Sequence, residues 1–168
     1  MPFRLPKKCR TYFDTLTGKD RKDKLDLLFD GYYLSALVGM AQTKIDGKPD
    51  LEASELVDEY PASYKDSRDY IAALLIATEA KRKPINMENA SDLEQLMTEL
   101  VDSHSKTRLS LEGENRLNQY ASRGISVILD TMMAHTNLEE FYQEYFECFE
   151  NGTFVELHTA VAFDTLRR

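Results

Sequence analysis

The chain has no tryptophan, only two cysteines and only three histidines in 168 residues, and each shortage removes a class of chemistry. Cys9 and Cys148 lie near opposite ends, so no paired-cysteine zinc motif can be written. Both fall beside aromatic neighbours on predicted helices, which reads as two small buried apolar residues in a reducing compartment; a disulfide or reactive thiol is the alternative. His104, His135 and His158 never stand three or four residues apart, which excludes the paired histidines of a helical zinc site. Each lies near a predicted helix end or in the tail, where a capping or surface role is expected.

Nucleophile and phosphate motifs are also missing. There is no Gly-x-Ser-x-Gly elbow, no phosphate-cradling glycine loop and no dinucleotide fingerprint. Arg123-Gly124-Ile125-Ser126 joins a glycine to a serine inside a helical pattern, where a strained nucleophile turn cannot form. Carboxylates are abundant, but no Glu-x-x-His motif accompanies them, so a di-metal carboxylate bundle is not indicated. The sequence therefore points to no catalytic residue, no metal and no cofactor, and the protein is read as a non-enzyme. No stretch approaches the roughly 20 apolar residues of a membrane span, and Met1-Pro2-Phe3-Arg4-Leu5-Pro6-Lys7-Lys8 lacks the apolar core of a signal peptide. A cytoplasmic protein with no membrane partner is the expectation.

What is present is a set of helical stripes. An apolar fraction of 42% and a charged fraction of 30% are ordinary for a globular chain, and the length suits one domain, residues 1–168. Cys9, Tyr12, Phe13 and Leu16 predict a short helix after Pro6, closed by Gly18. Leu25, Leu28, Phe29, Tyr32, Ala36, Leu37, Met40 and Ala41 predict a longer one. Its interior Gly31 and Gly39 cost helix stability, on the order of 1 kcal/mol each. Close approach of another backbone is the usual compensation, and a ligand against the glycines is the alternative.

Asp46-Gly47-Lys48-Pro49-Asp50 is a turn signal. Leu51, Leu56 and Val57 then suggest a short helix that Pro61 ends. Tyr70, Ile71, Leu74, Leu75 and Thr78 make a stripe that stops at Lys81-Arg82-Lys83 and Pro84. Ser91 with Glu94 fits a capping box ahead of Leu93, Leu96, Met97, Leu100 and Val101. Ser110 is a candidate cap for a long helix through Leu117, Tyr120, Ala121, Gly124, Ile125, Ile128, Leu129 and Met132. Asn137 with Glu140 repeats the cap before Leu138, Phe141, Tyr142, Tyr145, Phe146 and Phe149, a row of rings on one helix, which Gly152 closes. Glu140, Glu144 and Glu147 form its wet side. Residues 153–168 fit a docked terminal helix or a short strand at Phe154-Val155-Glu156-Leu157. The result is an all-α bundle of about six or seven helices, with at most a short strand near the C-terminus.

Charge is distributed unevenly. Eight cations face three acids in residues 1–24, so this basic helical arm stands near +5; the total of −8 leaves the acidic helical body, residues 25–168, near −13. Solvation of helix faces explains such a pattern, as does docking of the arm on an acidic partner. Nine tyrosines and eight phenylalanines suit half-buried contact surfaces. Tyr32-Tyr33, Tyr60 with Tyr64, and Tyr142 with Tyr145 are candidate rims, and adjacent Tyr32 and Tyr33 cannot both face one core.

The segment from Phe3-Arg4-Leu5 through Leu16, followed by Asp30-Gly31-Tyr32-Tyr33-Leu34, resembles small helical accessory subunits of bacterial DNA-modification and phage-defence operons. The likeness covers less than a third of the chain, and no residue role is carried over from it.

Three functions follow as expectations. The first is a helical adaptor or regulatory subunit that self-associates or docks into a larger intracellular assembly. Its contact residues would be Tyr33, Tyr142 and Tyr145, with Lys7, Lys8, Arg10, Arg21 and Lys22 for electrostatic docking. The second is a nucleic-acid-associated accessory protein whose basic arm contacts phosphates; base readout is unsupported without a basic recognition helix. The third is a small-molecule-binding helical enzyme at the glycine-lined crossing.

Overall fold

The computed structural model describes residues 3–17, 25–83, 85–86 and 88–155. Its helices are α1 (Lys7–Phe13), α2 (Leu28–Ala41), α3 (Arg68–Arg82), α4 (Ala90–Leu100), α5 (Leu111–Thr131) and α6 (Leu138–Glu150). Single 3-10 segments follow α1 at Asp14–Leu16 and precede α3 at Ala62–Ser67. The chain is all-α, with isolated β-bridges but no sheet among the described residues.

The bundle is organised by the crossing of α2 and α5, and small residues explain how close the two come. A Cβ placed on Gly39 would lie 2.0 Å from the Tyr120 carbonyl oxygen, and one on Gly124 would lie 1.7 Å from that of Ser35. Only glycine lets the two backbones approach this far. Gly31 answers to a different neighbour, since its missing side chain leaves room for the Phe13 ring. Close backbone approach, not a ligand, thus accounts for the glycines of the crossing. Around it, buried residues from all six helices form one cluster that includes Phe13, Tyr32, Ile71, Leu96, Tyr120, Ile125 and Phe141.

The helix ends follow local chemistry. Ser110 Oγ accepts from the Gly113 amide at 3.1 Å, and Asn137 Oδ1 accepts from the amides of Glu139 at 2.8 Å and Glu140 at 3.3 Å, each satisfying a first-turn donor. Gly152 takes φ +80 just past α6, the left-handed conformation expected of a helix stop. Asp46 Oδ1 accepts from the Lys48 amide at 3.1 Å and fixes the Asp-Gly bend. At α4 the capping box is displaced: the helix starts at Ala90, and Asn89 is the cap, accepting from the Ser91 amide at 3.1 Å. Both residues are competent caps, and Asn89 lies earlier in the chain.

The helix expected at Leu51, Leu56 and Val57 does not form. That segment is a series of bends that joins the N-terminal residues through isolated bridges in place of a helix: Glu52 N donates to Leu5 O at 2.8 Å, Leu56 N to Phe3 O at 2.8 Å, and Lys7 N to Asp50 O at 3.0 Å. Backbone pairing with a remote segment has overridden local periodicity. In α3, Ile71 and Leu75 are buried, but Tyr70 is 79% exposed and Leu74 lies at the surface, so the stripe is narrower than its spacing suggests. Phe154 is buried beyond α6, its carbonyl accepting from Gln42 Nε2 at 3.0 Å. The terminal helix or strand expected in residues 153–168 falls almost wholly outside the described residues, as do Gly18 and Pro84.

Candidate interaction surface

Tyr32 and Tyr33 divide as their adjacency requires. Tyr32 is fully buried, its hydroxyl donating to Asn118 Oδ1 at 2.9 Å, whereas Tyr33 is half-buried at the rim of α2. The Tyr33 ring meets Tyr64 edge-on at 5.3 Å, and Tyr64 meets Phe29 at 4.9 Å. The Tyr64 hydroxyl donates to Asp30 Oδ1 at 2.7 Å, while Asp30 Oδ2 accepts from the Leu27 amide at 2.9 Å. Asp30 therefore both closes the start of α2 and orients a surface tyrosine.

Tyr142 reaches the same region from α6. Burial raises its phenol pKa, and the nearby carboxylates of Asp30 and Asp26 raise it further. Tyr64 is raised by burial first, then by its bond to Asp30 and by the neighbouring Tyr142 and Tyr33. Phe146 stacks on Tyr142 with centroids 5.9 Å apart and planes 20° from parallel, and it is 56% exposed. The Tyr33–Tyr64 pair and the Tyr142–Phe146 stack together form an aromatic ridge, with Asp26 and Asp30 near it. Apolar rings on an acidic shoulder suit contact with a cation-bearing surface.

The expected contact residues are thus only partly brought together. Tyr33 and Tyr142 share the ridge. Tyr145 does not: it is 1% exposed and donates to Leu34 O at 2.8 Å, so its ring and hydroxyl are both used inside the chain. Tyr60 is likewise buried and no rim residue. Phe146 and Asp30 are what sequence reasoning missed. The signal for Phe146 was the stripe's width, because its six apolar members, spread over residues 138–149, span more of a helix circumference than one flank can bury.

The docking cations lie elsewhere, and several already have partners. Lys7 pairs with Asp50 at 2.7 Å, and Arg10 Nη2 donates to Glu52 Oε2 at 2.8 Å, a bond that holds the Glu52 carboxyl below its usual range. Arg4 Nε donates to Glu52 O at 2.8 Å. Lys8 reaches Ser126 Oγ at 3.4 Å. Arg21 and Lys22 lie outside the described residues. The first half of the basic arm is therefore folded against residues 50–52.

Two charged groupings were not legible in advance. Glu79 has no exposed surface, yet it accepts from Arg82 Nε and Nη2, both at 2.7 Å, and from the Tyr120 hydroxyl at 2.6 Å, with Arg116 Nε at 3.5 Å. Burial pushes its pKa up, but the Arg82 and Tyr120 bonds outweigh that and leave it lowered. A carboxylate saturated by donors is a structural anion and a poor proton acceptor. His135 was expected as a cap or surface residue. Its Nε2 instead contacts Glu144 within the supposed wet row of α6, and its side chain is only 10% exposed. His104 sits at the surface beside Asp102, and His158 lies outside the described residues.

Among the described residues no three histidines, cysteines or carboxylates converge as a metal site, and no helix is long and apolar enough to cross a membrane. No protein-family model, curated protein or solved structure matches the chain.

Proposed function

We propose that the protein is a non-enzymatic helical adaptor or regulatory subunit that self-associates through the aromatic ridge. The observation that carries this reading is Phe146, a large ring left 56% exposed and stacked on half-buried Tyr142. An exposed phenylalanine joined to other rings is a contiguous apolar surface, and such surfaces favour partner contact. A second copy supplies complementary charge: the ridge is flanked by Asp26 and Asp30, while in the second half of the basic arm Lys19, Arg21, Lys22 and Lys24 outnumber Asp20 and Asp23. Docking onto a different protein is the other form of the same reading.

Sedimentation velocity at low and high salt tests it, with Phe146→Asp as the probe. The proposal expects a concentration-dependent dimer or larger species that weakens with salt and is lost in the variant. A strictly monomeric wild type over the accessible concentration range removes self-association, and association unchanged by Phe146→Asp removes the ridge as its seat.

A further inference from the structure

A second feature lies at the far end of the α2–α5 crossing. The chain leaves α2 through Thr43, which adopts φ 54, a left-handed conformation that a β-branched residue rarely takes. That turn, the last residue of α3 and the middle of α5 border an open surface pocket of about 410 Å³ lined by Thr43, Lys44, Ile45, Arg82 and Arg123. Three of its five lining residues are cationic and none is acidic, in a chain whose net charge is −8. Such a concentration of one sign needs a reason.

Part of the reason is internal. Arg82 donates two hydrogen bonds to buried Glu79, which fixes its guanidinium plane. A guanidinium carries five N–H donors, so this pairing leaves others directed elsewhere. Arg123 has less: one side-chain bond, from Nη2 to Gln42 Oε1 at 3.3 Å, and a buried Nε with no partner. No carboxylate lies within 4.0 Å of Arg123 among the described residues. The guanidinium is thus held at a pocket wall without a counter-charge among the described residues.

We propose that this pocket binds a small multivalent oxyanion, with Arg123 as the principal ligand and Arg82 and the Thr43 hydroxyl completing the wall. Planar guanidiniums recognise phosphate and carboxylate oxygens in pairs, and a pre-oriented Arg82 lowers the ordering cost of capture. Ile45 is the single apolar lining residue and no ring is present, so the wall selects the charged group and offers no platform for a base.

The test is calorimetric titration of the full chain with pyrophosphate and, separately, with citrate, at low ionic strength. These arms distinguish phosphate from carboxylate recognition. Saturable binding of either anion supports the site if it weakens about tenfold or more in Arg123→Gln. It should survive Lys106→Gln, which removes an equal charge outside the pocket lining. Arg123→Lys, which keeps the charge but loses the planar fork, is expected between the two. Unchanged circular dichroism and melting temperature show that the variants are folded. Absence of saturable binding to both anions at millimolar concentration, or equal affinity in wild type and Arg123→Gln, overturns the proposal.

Discussion

Gly124 sits against Ser35 so closely that a methyl group in place of its hydrogen would lie 1.7 Å from the Ser35 carbonyl oxygen. The obstacle is backbone, which cannot rotate aside, so Gly124→Ala must push α5 from α2 along the bundle's main seam. Better helix propensity contributes about 1 kcal/mol in favour, and overpacking costs more. The expected net loss is about 2 kcal/mol or more, read from the urea midpoint. Gly47→Ala is the control: nothing lies within 4 Å of the added carbon and its φ is not positive, so stability should hold or rise by about 0.5 kcal/mol.

Glu79 makes stability depend on acid. Its pKa in the folded protein lies below the ordinary value, so its contribution is complete above the unfolded-state value near ~4.3 and is lost as pH falls through the folded one. Urea midpoints measured from pH 6 to pH 3 should fall, and Glu79→Gln should flatten that slope. At neutral pH the substitution leaves Arg82 without its counter-charge and costs about 3 kcal/mol. The low end of the range for buried pairs applies because the Arg82 side chain is itself 25% exposed.

The cysteines should be inert in the native state. Cys9 is fully buried, and burial pushes its thiol up to about 12, only partly opposed by the Ser35 hydroxyl 3.4 Å away. Cys148 is also buried and raised. A thiolate-seeking chromogenic disulfide is expected to react slowly with the native protein and to label two thiols per chain in denaturant. Rapid native labelling at Cys9 would contradict the packing around α1.

Two neighbouring rings of α6 should behave in opposite ways. Tyr145→Ala removes a buried ring with a satisfied hydroxyl and should cost about 3–5 kcal/mol. Phe146→Ala touches an exposed ring and should change stability by about 0.5 kcal/mol at most, while altering association if the ridge is the contact surface. Thermal unfolding and sedimentation of the two variants separate packing from docking.

Several of these relationships could be read in the chain before its fold was known. The helices, the caps at Ser110 and Asn137, the bend at Asp46-Gly47 and the stop at Gly152 all follow from backbone chemistry within a few residues. So did the need for a close approach at the interior glycines Gly31 and Gly39, because such glycines are costly unless something approaches them; a backbone meets Gly39, and the Phe13 ring meets Gly31. The stretch around Leu51 failed the same reading, since its partners Phe3 and Leu5 are distant in sequence. Tyr33 and Tyr142 were legible as candidates from adjacency and spacing, but their meeting beside Tyr64 and Asp30 was not. The Arg123 pocket gave no signal at all, for its lining residues come from three separated segments.

The order of residues by itself determined that this chain makes helices, where most of them begin and end, and that its two charge domains differ in sign, because propensity, capping and composition act locally or by sum. Tertiary packing alone decided which rings are buried and which remain outside. Tyr145 and Phe146 are adjacent and chemically similar, yet one is sealed beneath the Leu34 carbonyl and the other faces water. A helix sets only the angle between neighbouring side chains, and the helices packed around it determine which of them is covered.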